Sequence, residues 1–299
     1  MQIQDPGINK GTTQMVNIDF MSDLHMEING NVAEQIMIPK GTSDDVLILD
    51  GDITCYRYFD PNRTDSESRG MRERFAKFIH KKCGHYKKII YIPGNHEYYG
   101  FYMDGADEWF QKQIEMIDSR LEVFNNKSYV NEKFTIIGST FWVGFHGGLA
   151  DPWMELIKRS VENGMNDFRL IRPELDSKSP ITADHVQEIH RKSFDFIKTC
   201  AELHDTDTPL IVATHHAPCM MSHPNARFGD NDLKYGYITE YGNWICDSKI
   251  DHWIHGHTHH NVKYDIADCK VQSAMYGYLG HDRSLSDKIM TAGRIEIGD

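Results

Sequence analysis

The segment Ile89–Glu97 has the sequence IIYIPGNHE and shows the pattern from which the fold can be read. An apolar run of four residues ends directly in Pro, Gly and polar side chains. Runs this short, rich in β-branched and aromatic residues and bounded by Gly or Pro, are typical of buried strands rather than helices. The segment therefore predicts a strand, Ile89–Ile92, whose carboxyl end presents Asn95, His96 and Glu97.

The same arrangement recurs along the chain. Further strands are predicted at Met15–Phe20, Val46–Leu49, Phe134–Ile137, Leu210–Ala213 and Trp253–Ile254. Stretches of mixed charge between them predict helices at Ser66–Cys83, Asp104–Leu121, Pro152–Asn163 and Thr182–Leu203. This alternation is typical of an α/β protein. Past His260, strand-like pieces predict antiparallel closure at the C-terminal edge, at Val262–Ile266, Lys270–Ser273 and Gly293–Ile297.

Length and composition limit the classes of protein that the chain fits. We expect residues 1–13 to form a tail and residues 14–299 to form a single domain. No apolar stretch approaches the roughly 20 residues that span a bilayer, so we expect no membrane segment. The start has no apolar signal region, and the six cysteines form no CxxC pair, which predicts reduced thiols and a cytoplasmic location.

The charge balance bears on the partners of the protein. Lys and Arg number 32 against 44 Asp and Glu, which gives a net charge of −12. Because a phosphate backbone is bound by basic surfaces, this balance disfavours duplex nucleic acid as a partner. The sequence leaves the oligomeric state open.

Histidine and carboxylate side chains gather at the predicted strand ends. Sites in open α/β sheets form beyond the carboxyl ends of strands, so we expect these side chains to converge. The residues concerned are Asp23, His25, Asp52, Asn95, His215, His257 and His259. Seven nitrogen or oxygen ligands are too many for one tetrahedral ion, but they suit two ions that share a bridging carboxylate.

The chain resembles the calcineurin-like metallophosphoesterase superfamily in five motifs that occur in the same order. They are Asp23-Leu24-His25, Gly51-Asp52, Gly94-Asn95-His96-Glu97, His215-His216 and Gly256-His257-Thr258-His259. Residues 137–142 and 165–168 also resemble segments of the small single-domain bacterial and phage members. The resemblance implies a four-layer αββα sandwich of two mixed β-sheets flanked by helices. It places a dimetal site at the C-terminal edge of the strands.

The resemblance also implies a role for each motif residue. Asp23, His25 and His259 would hold the first metal. The second metal would be held by Asn95, His215 and His257, and Asp52 would bridge the two. His96 would contact the substrate or protonate the leaving oxygen. Imidazole, carboxylate and amide ligands favour Mn, Fe, Ni or Zn over calcium, without choosing among them.

Four further residues are expected near this site. His216 touches the substrate or only hydrogen-bonds its own loop. His255 supports a metal ligand, and Glu97 orients a ligand or His96, or caps the next helix. Arg169 lies in a segment that matches the family, with Asn166 and Asp167, and is a candidate for the rim of the site.

Other histidine, arginine and aromatic side chains are expected to have structural rather than functional roles. His185 and His190 lie on a predicted helix beside charged residues, which predicts a solvated face. An arginine run after the second motif is also typical of a solvated helix face, with phosphate binding as the alternative; it comprises Arg57, Arg63, Arg69, Arg72 and Arg74. The aromatic residues after His96 are expected to pack rather than to bind a base.

The implied function is that of a dimetal-dependent phosphoesterase. It would hydrolyse a small phosphate mono- or diester with metal-activated water, and His96 would be the general acid. The alternatives are a nuclease or a protein phosphatase of the same superfamily, and a scaffold without catalysis. A nuclease needs a basic groove, which the sequence does not show, and a scaffold would have lost ligands that are all present here.

Overall fold

The computed structural model describes residues 15–145, 153–224, 229, 231–282 and 289–298. The expected tail, residues 1–13, lies outside the described residues. So does Pro152, at which the third predicted helix was expected to begin. None of the helices in these described ranges has the length and the hydropathy needed to cross a bilayer.

The first sheet has five strands in the order β13-β1-β3-β4-β5. Its strands are β1 (Val16–Met21), β3 (Val46–Asp50), β4 (Lys88–Ile92), β5 (Leu121–Val123) and β13 (Gly293–Ile297). The strands β1, β3, β4 and β5 are parallel to one another, and β13 pairs antiparallel with β1. The predicted antiparallel closure by the C-terminal strand is therefore confirmed.

The second sheet has six strands in the order β10-β11-β9-β8-β7-β6. They are β6 (Lys127–Val130), β7 (Thr135–Ser139), β8 (Leu210–Thr214), β9 (His252–His255), β10 (Lys263–Ile266) and β11 (Cys269–Gln272). The four inner strands are parallel, and both edge strands run antiparallel to their neighbours. A separate parallel pair is formed by β2 (Ile36–Met37) and β12 (Met290–Thr291).

Alternating residues of the second sheet show how the layers pack. In β8, Ile211 and Ala213 join the core that also holds the first sheet and the helices Ser66–Lys82 and Ala106–Glu115. Leu210 and Val212, on the opposite face, join a second core that is covered by the helices Ala183–Leu203 and Gly242–Cys246. Because side chains alternate along a strand, each sheet contributes one face to the shared core and one face to its own helices. The predicted four-layer α/β sandwich of two mixed sheets is confirmed.

The four predicted helices are present, and all but one begin and end close to the predicted positions. They are α2 (Ser66–Lys82), α3 (Ala106–Glu115), α4 (Met154–Gly164) and α6 (Ala183–Leu203). Three short helices were not predicted, namely α1 (Met26–Asn29), α5 (Asp167–Leu170) and α7 (Gly242–Cys246). The exception is α3, which was predicted to run from Asp104 to Leu121. It starts after Gly105, whose left-handed φ of 69° is incompatible with a helix interior. Asp118 accepts hydrogen bonds from Arg120 in a turn, and this turn sends Leu121 into β5.

The prediction that His190 lies on a solvated face is wrong, whereas His185 is exposed as expected. His190 is buried, and it shares the inward stripe of α6 with Val186, Ser193 and Ile197. Its Nδ1 donates to the carbonyl of Phe141 at 2.7 Å. Burial lowers the pKa of His190 to about 4, so the ring is neutral at neutral pH. The sequence suggested exposure because Glu188 and Arg191, close to His190 in the chain, are charged. Both lie on the exposed side of the helix, whereas His190 lies on the buried side.

Candidate metal centre

The chain turns sharply where the strands end, and these turns place the predicted ligands at one edge of the two sheets. Asp23, Asp52 and His257 follow β1, β3 and β9 with positive φ values of 57°, 54° and 71°. His25 and His259 also have left-handed backbones, with φ values of 42° and 49°. Such conformations are uncommon for residues other than glycine and cluster at functional sites, where the surrounding structure maintains them.

Glycine is required beside these turns. Gly51 has a φ of 85°, and a Cβ atom there would lie 2.2 Å from Nδ1 of His215. A Cβ atom at Gly94 would lie 2.2 Å from Oδ1 of Asp52. The motif glycines therefore let the strand ends approach the ligand side chains closely.

The first cluster consists of Asp23, His25 and His259. The Nε2 atoms of His25 and His259 are 2.9 Å apart, and Nε2 of His259 lies 3.3 Å from Oδ1 of Asp23. His25 and Asp23 are fully buried, and His259 is nearly so. These three side chains point their ligand atoms at one small volume.

The second cluster consists of Asp52, His215 and His257, with Asn95 beside it. Nε2 of His215 lies 3.4 Å from Oδ1 of Asp52 and 3.2 Å from Oδ1 of Asn95. The ligand atoms of Asp52, His215 and His257 all lie within 4.8 Å of one another. The other oxygen of Asp52 is 3.6 Å from Nε2 of His25. Asp52 therefore faces both clusters.

Hydrogen bonds to the opposite ring nitrogen orient the histidines. Nδ1 of His25 faces Glu27 at 3.3 Å, and Nδ1 of His259 contacts the carboxylate of Asp282. Nδ1 of His215 donates to the backbone carbonyl of Asp50 at 2.9 Å. Partners of this kind fix the tautomer of metal-binding histidines and raise their basicity. In each case Nε2 is left to face the cluster.

The donor arrangement fits a pair of cations. Glu27 and Asp282 accept hydrogen bonds only, so Nδ1 of His25 and Nδ1 of His259 each carry a proton. Burial lowers the pKa of His259, but its contacts with Asp23 and Asp282 outweigh this and raise it to about 9, so a second proton on its Nε2 is shared with Nε2 of His25 at 2.9 Å. A divalent cation beside these two nitrogens would take the place of that proton. In the second cluster, Nε2 of His257 is buried and has no hydrogen-bond partner among the described residues. A divalent cation at each cluster would satisfy these atoms.

The electrostatics of the two clusters also favour bound cations. Burial lowers the pKa of His25 and of His257, which keeps both in the neutral form that binds metals. Burial alone would lower the pKa of His215 as well, but the charge of Asp52 raises it to about 10. The same charge that favours a proton on His215 would favour a divalent cation in its place.

Asn95 is held with its carbonyl oxygen toward the second cluster. Its Nδ2 donates to Asp167 at 2.7 Å and to the hydroxyl of Tyr99 at 3.3 Å. The Tyr99 hydroxyl also donates to Asp167 at 2.8 Å. Since both amide hydrogens point away from the cluster, Oδ1 is the atom that a cation would meet. Asp167 therefore supports a predicted ligand and does not lie on an open rim.

His96 lies next to Asn95 and contacts both clusters through its neighbours. Its backbone N–H donates to Oδ1 of Asp52 at 2.8 Å. Nδ1 faces Glu27 at 2.9 Å, Nε2 lies 3.1 Å from the Tyr278 hydroxyl, and the ring stacks on Tyr99. Burial lowers the pKa of His96, but the charges of Asp52 and Glu27 outweigh this and raise it to about 9. His96 is thus held in one orientation.

Glu97 ties two of the motif loops together. Its carboxylate accepts hydrogen bonds from the backbone N–H groups of residues 52, 53, 54 and 94 and from the Tyr91 hydroxyl. Glu97 therefore supports the loops that carry the ligands rather than capping the next helix. Burial and the charge of Asp52 raise the pKa of Glu97 to about 7, whereas the hydrogen bond from Tyr91 opposes this.

The structure places His216 and His255 beneath the second cluster. Nδ1 of His216 contacts the carbonyl of Thr140 at 3.1 Å, and its ring packs 4.2 Å from that of His257. His255 is buried, with its ring nitrogens against Ser222 and the carbonyl of Gly256. Neither lines the cavity described below, so both are placed to support the loops.

Arg169 is not brought to the site. It is exposed and bonds to Asn163 and Asn166 at the junction of α4 and α5. In this segment Asp167, two positions before Arg169, contacts a predicted ligand, because it accepts a hydrogen bond from Asn95.

A cavity of about 790 Å³ opens above both clusters. Metal-cluster residues and His96 form part of its lining, and the remaining walls mix apolar side chains with charged ones, among them Met165, Leu170, Leu233, Arg57 and Lys234. Cavities of this size hold small organic molecules rather than a macromolecular surface. The arrangement suits a phosphate group at the clusters with its organic part in the cavity.

Three supporting residues were missed by sequence reasoning. Glu27 follows His25 by two positions, so the Asp-x-His-x-Glu spacing was a signal that it could share the site. Tyr278 and Asp282 carry no such signal, because they reach the first cluster only through a long-range contact. That loop is held by hydrogen bonds from Gly277 to Asp23 and from Leu279 to Asn29.

Comparison with known proteins agrees with this geometry. The family model of calcineurin-like phosphoesterases matches residues 16–261. The chain belongs to this family and is therefore a metal-dependent phosphoester hydrolase. The family is dimetal-dependent, which fits two ligand clusters joined by one carboxylate.

Two individual proteins illustrate the similarity. The chain is 28% identical over 293 residues to uncharacterized protein L509 of Acanthamoeba polyphaga mimivirus, covering 89% of this chain and 92% of that protein. Its fold is similar to that of a phosphopantetheinyl hydrolase from Mycobacterium tuberculosis, with a TM-score of 0.65 and 16% identity. That match covers 94% of this chain and 95% of the other. At this identity the second similarity shows the fold alone.

Proposed function

We propose that this protein hydrolyses a small phosphate monoester or diester with the help of two divalent cations. The observation that carries the proposal is the position of Asp52, whose two oxygens face His25 of one cluster and His215 of the other. Both clusters lie at the base of the cavity. Asp23, His25 and His259 would hold one cation, Asn95, His215 and His257 the other, and Asp52 both.

The ligand set supports Mn, Fe, Ni or Zn as the metals. When bound, two such cations lower the pKa of a water molecule and neutralise charge on the phosphoryl oxygens. The chain's own residues then hold these ions and the ester in place. Asp167 and Tyr99 keep Oδ1 of Asn95 facing inward, and Glu27 and Asp282 keep the imidazoles of the first cluster aligned.

His96 is proposed as the general acid. Its Nδ1 proton is held by Glu27, so the proton that can be given to a leaving oxygen is on Nε2, beside the Tyr278 hydroxyl. Both His96 and Tyr278 line the cavity. A histidine in this position protonates the departing alkoxide, which needs this help most when the alcohol is a weak acid.

The size of the cavity and the net charge of −12 support small substrates over duplex nucleic acid. All six cysteines are free thiols, which supports the proposal of a cytoplasmic location.

A panel of esters tests the proposal. The metal-loaded protein would be assayed with aryl and alkyl phosphate monoesters, with nucleotides and cyclic nucleotides, with a phosphopantetheinyl ester and with single- and double-stranded DNA. We expect hydrolysis of at least one class of small ester in Mn, abolished by a chelator, and little or no cutting of duplex DNA. Efficient digestion of DNA at physiological salt with all small esters untouched would replace this proposal with the nuclease alternative.

A further inference from the structure

The proposed mechanism does not use Arg57, a cationic side chain that lines the cavity. Arg57 lies in a short 3₁₀ segment, Tyr56–Phe59, that follows the Gly51-Asp52 motif. It is half-buried and lines the same cavity as His96 and the two clusters. It lies five positions after Asp52, so the Cα atoms of the two residues are at most about 18 Å apart. Arg57 is therefore within reach of a molecule whose phosphate is bound at the clusters.

The hydrogen-bonding capacity of this guanidinium is largely unused. Nη2 donates to the Tyr58 hydroxyl at 2.8 Å, and that hydroxyl donates to Glu67 at 2.8 Å. Nε is buried without an acceptor, and Nη1 has none among the described residues. No carboxylate in the same described part of the chain lies within 4 Å of Arg57. A half-buried cation in this situation favours an anion beside it.

The other arginines of the same run show the contrast. Arg72 donates to the backbone carbonyls of Tyr58 and Arg63 at 2.6 and 3.0 Å, and Arg63 contacts Asp65. Arg69 is exposed to solvent on α2. None of these lines the cavity. Among the arginines of this run, Arg57 alone lines the cavity and also has an unused hydrogen-bond donor. Its surroundings therefore differ from those of an arginine on a solvated helix face.

We propose that Arg57 binds a second anionic group, a phosphate or a carboxylate, on the organic part of the substrate. The inference rests on the proposed function, since it takes the two clusters as the site of the reacting phosphate. The Tyr58–Glu67 pair holds the guanidinium in place from one side, with the ring of Tyr58 4.8 Å from Cζ. The favoured substrate class is thus a phosphate ester whose alcohol carries a further negative charge.

Binding of phosphonates, which cannot be hydrolysed, tests the inference without relying on turnover. Phenylphosphonate would be compared with 4-carboxyphenylphosphonate and 1,4-phenylenebisphosphonate, and with their biphenyl counterparts as longer spacers. Dissociation constants would be measured by calorimetry on the Mn-loaded wild type, Arg57→Ala, Arg57→Lys and Arg69→Ala. Hydrolysis of the panel of small esters described above would be measured in parallel on the wild type.

In the wild type we expect the second anionic group to tighten binding by about 10- to 100-fold for at least one spacer, as for a charge-assisted hydrogen bond. Arg57→Ala should reduce this ratio to about 1, Arg57→Lys should keep part of it, and Arg69→Ala should leave it unchanged. The carboxylate and bisphosphonate arms identify which anion is preferred.

A ratio near 1 in the wild type for every spacer would overturn the inference, as would a ratio that persists in Arg57→Ala. If no small ester of the panel is hydrolysed but the Arg57-dependent ratio is present, the proposed function fails and the anion site stands.

Discussion

The two ligand clusters use the same kinds of side chain but are supported in opposite ways. The first is supported by carboxylates, because Glu27 and Asp282 face the outer nitrogens of His25 and His259. The histidines of the second are supported by neutral groups, namely the carbonyl of Asp50 on His215 and the uncharged imidazole of His216 beside His257. The difference places a carboxylate behind each histidine of the first cluster, whereas in the second the supporting carboxylate, Asp167, lies behind the amide of Asn95.

This comparison implies unequal affinity for cations. A carboxylate behind a ligating imidazole strengthens the imidazole as a donor, so the first cluster should hold its metal more tightly. The first cluster also depends on the loop that carries Tyr278 and Asp282, which is remote in sequence from Asp23 and His25. The second cluster is built into the ends of β3, β4, β8 and β9 and should be less sensitive to loop changes.

The substitution Asp52→Asn should have the largest effect, because Asp52 is the one carboxylate among the described residues that faces both clusters. We expect both metals to bind more weakly and activity to fall by roughly 10³-fold, corresponding to several kcal/mol of lost charge stabilisation. The variant keeps an oxygen that can accept the hydrogen bond from His96. Elemental analysis and the ester assay check the result, and two metals with full activity would disprove the bridging role.

The substitution His96→Asn should leave both clusters filled, yet lower the rate by about 10²- to 10⁴-fold on alkyl esters. Aryl esters with acidic leaving groups such as nitrophenol need little protonation and should lose much less. The measurement is kcat for a pair of alkyl and aryl esters alongside metal content. Equal losses for both would mean that His96 positions the phosphoryl group instead.

The substitution Asp282→Asn should affect the first cluster and leave the second unchanged. It weakens the support of His259, so affinity for the first metal should fall by about 10- to 100-fold while the second metal is retained. Asp268→Asn is the matched control, since Asp268 is exposed in the turn between β10 and β11. Metal titrations of the three proteins give the answer. Loss of both metals together in Asp282→Asn would argue against separate supports.

The smallest effect concerns His190, the buried neutral histidine of α6. His190 is buried with a pKa of about 4, below the value of about 6.5 expected in the unfolded chain. The unfolded state therefore takes up a proton first as pH falls, and stability present above pH ~6.5 is lost on the way to pH ~4. From pH 7 to pH 5 this contribution is about 2 kcal/mol.

Urea unfolding at the two pH values measures this loss. His190→Gln should show a shallower dependence on pH than the wild type, whereas His80→Gln, at an exposed position, should match it. An unchanged pH dependence in His190→Gln would show that His190 contributes no such term.

Much of the fold and of the ligand set could be predicted from the sequence, because the strands that carry the ligands coincide with short apolar runs and the ligands follow directly. These strands are β1, β3, β4, β8 and β9. The strand ends at Asp52 and Asn95 are local features of this kind. The supports were harder to predict. Asp282 reaches His259 and Tyr278 reaches His96 only after the C-terminal loop packs on the end of β1, which no local pattern encodes.

The errors have similar causes. The stretch after Glu115 keeps an apolar spacing that suits a helix, but the turn at Asp118 and the pairing of Leu121 with Ile89 override it. His190 looks solvated because its sequence neighbours are charged. The spacing to Val186, Ser193 and Ile197 was the better guide, because burial on a helix follows the stripe and not the adjacent residues.

The metal content of the protein tests the central claim most directly. The wild type, saturated with Mn and desalted, would be analysed for bound metal per chain, together with His259→Ala and His257→Ala. Two separate clusters predict two ions in the wild type and about one in each variant, with the ion in His257→Ala, which keeps the first cluster, the harder to remove by a chelator. A wild type that retains no divalent ion, or variants that retain two, would contradict the dimetal centre.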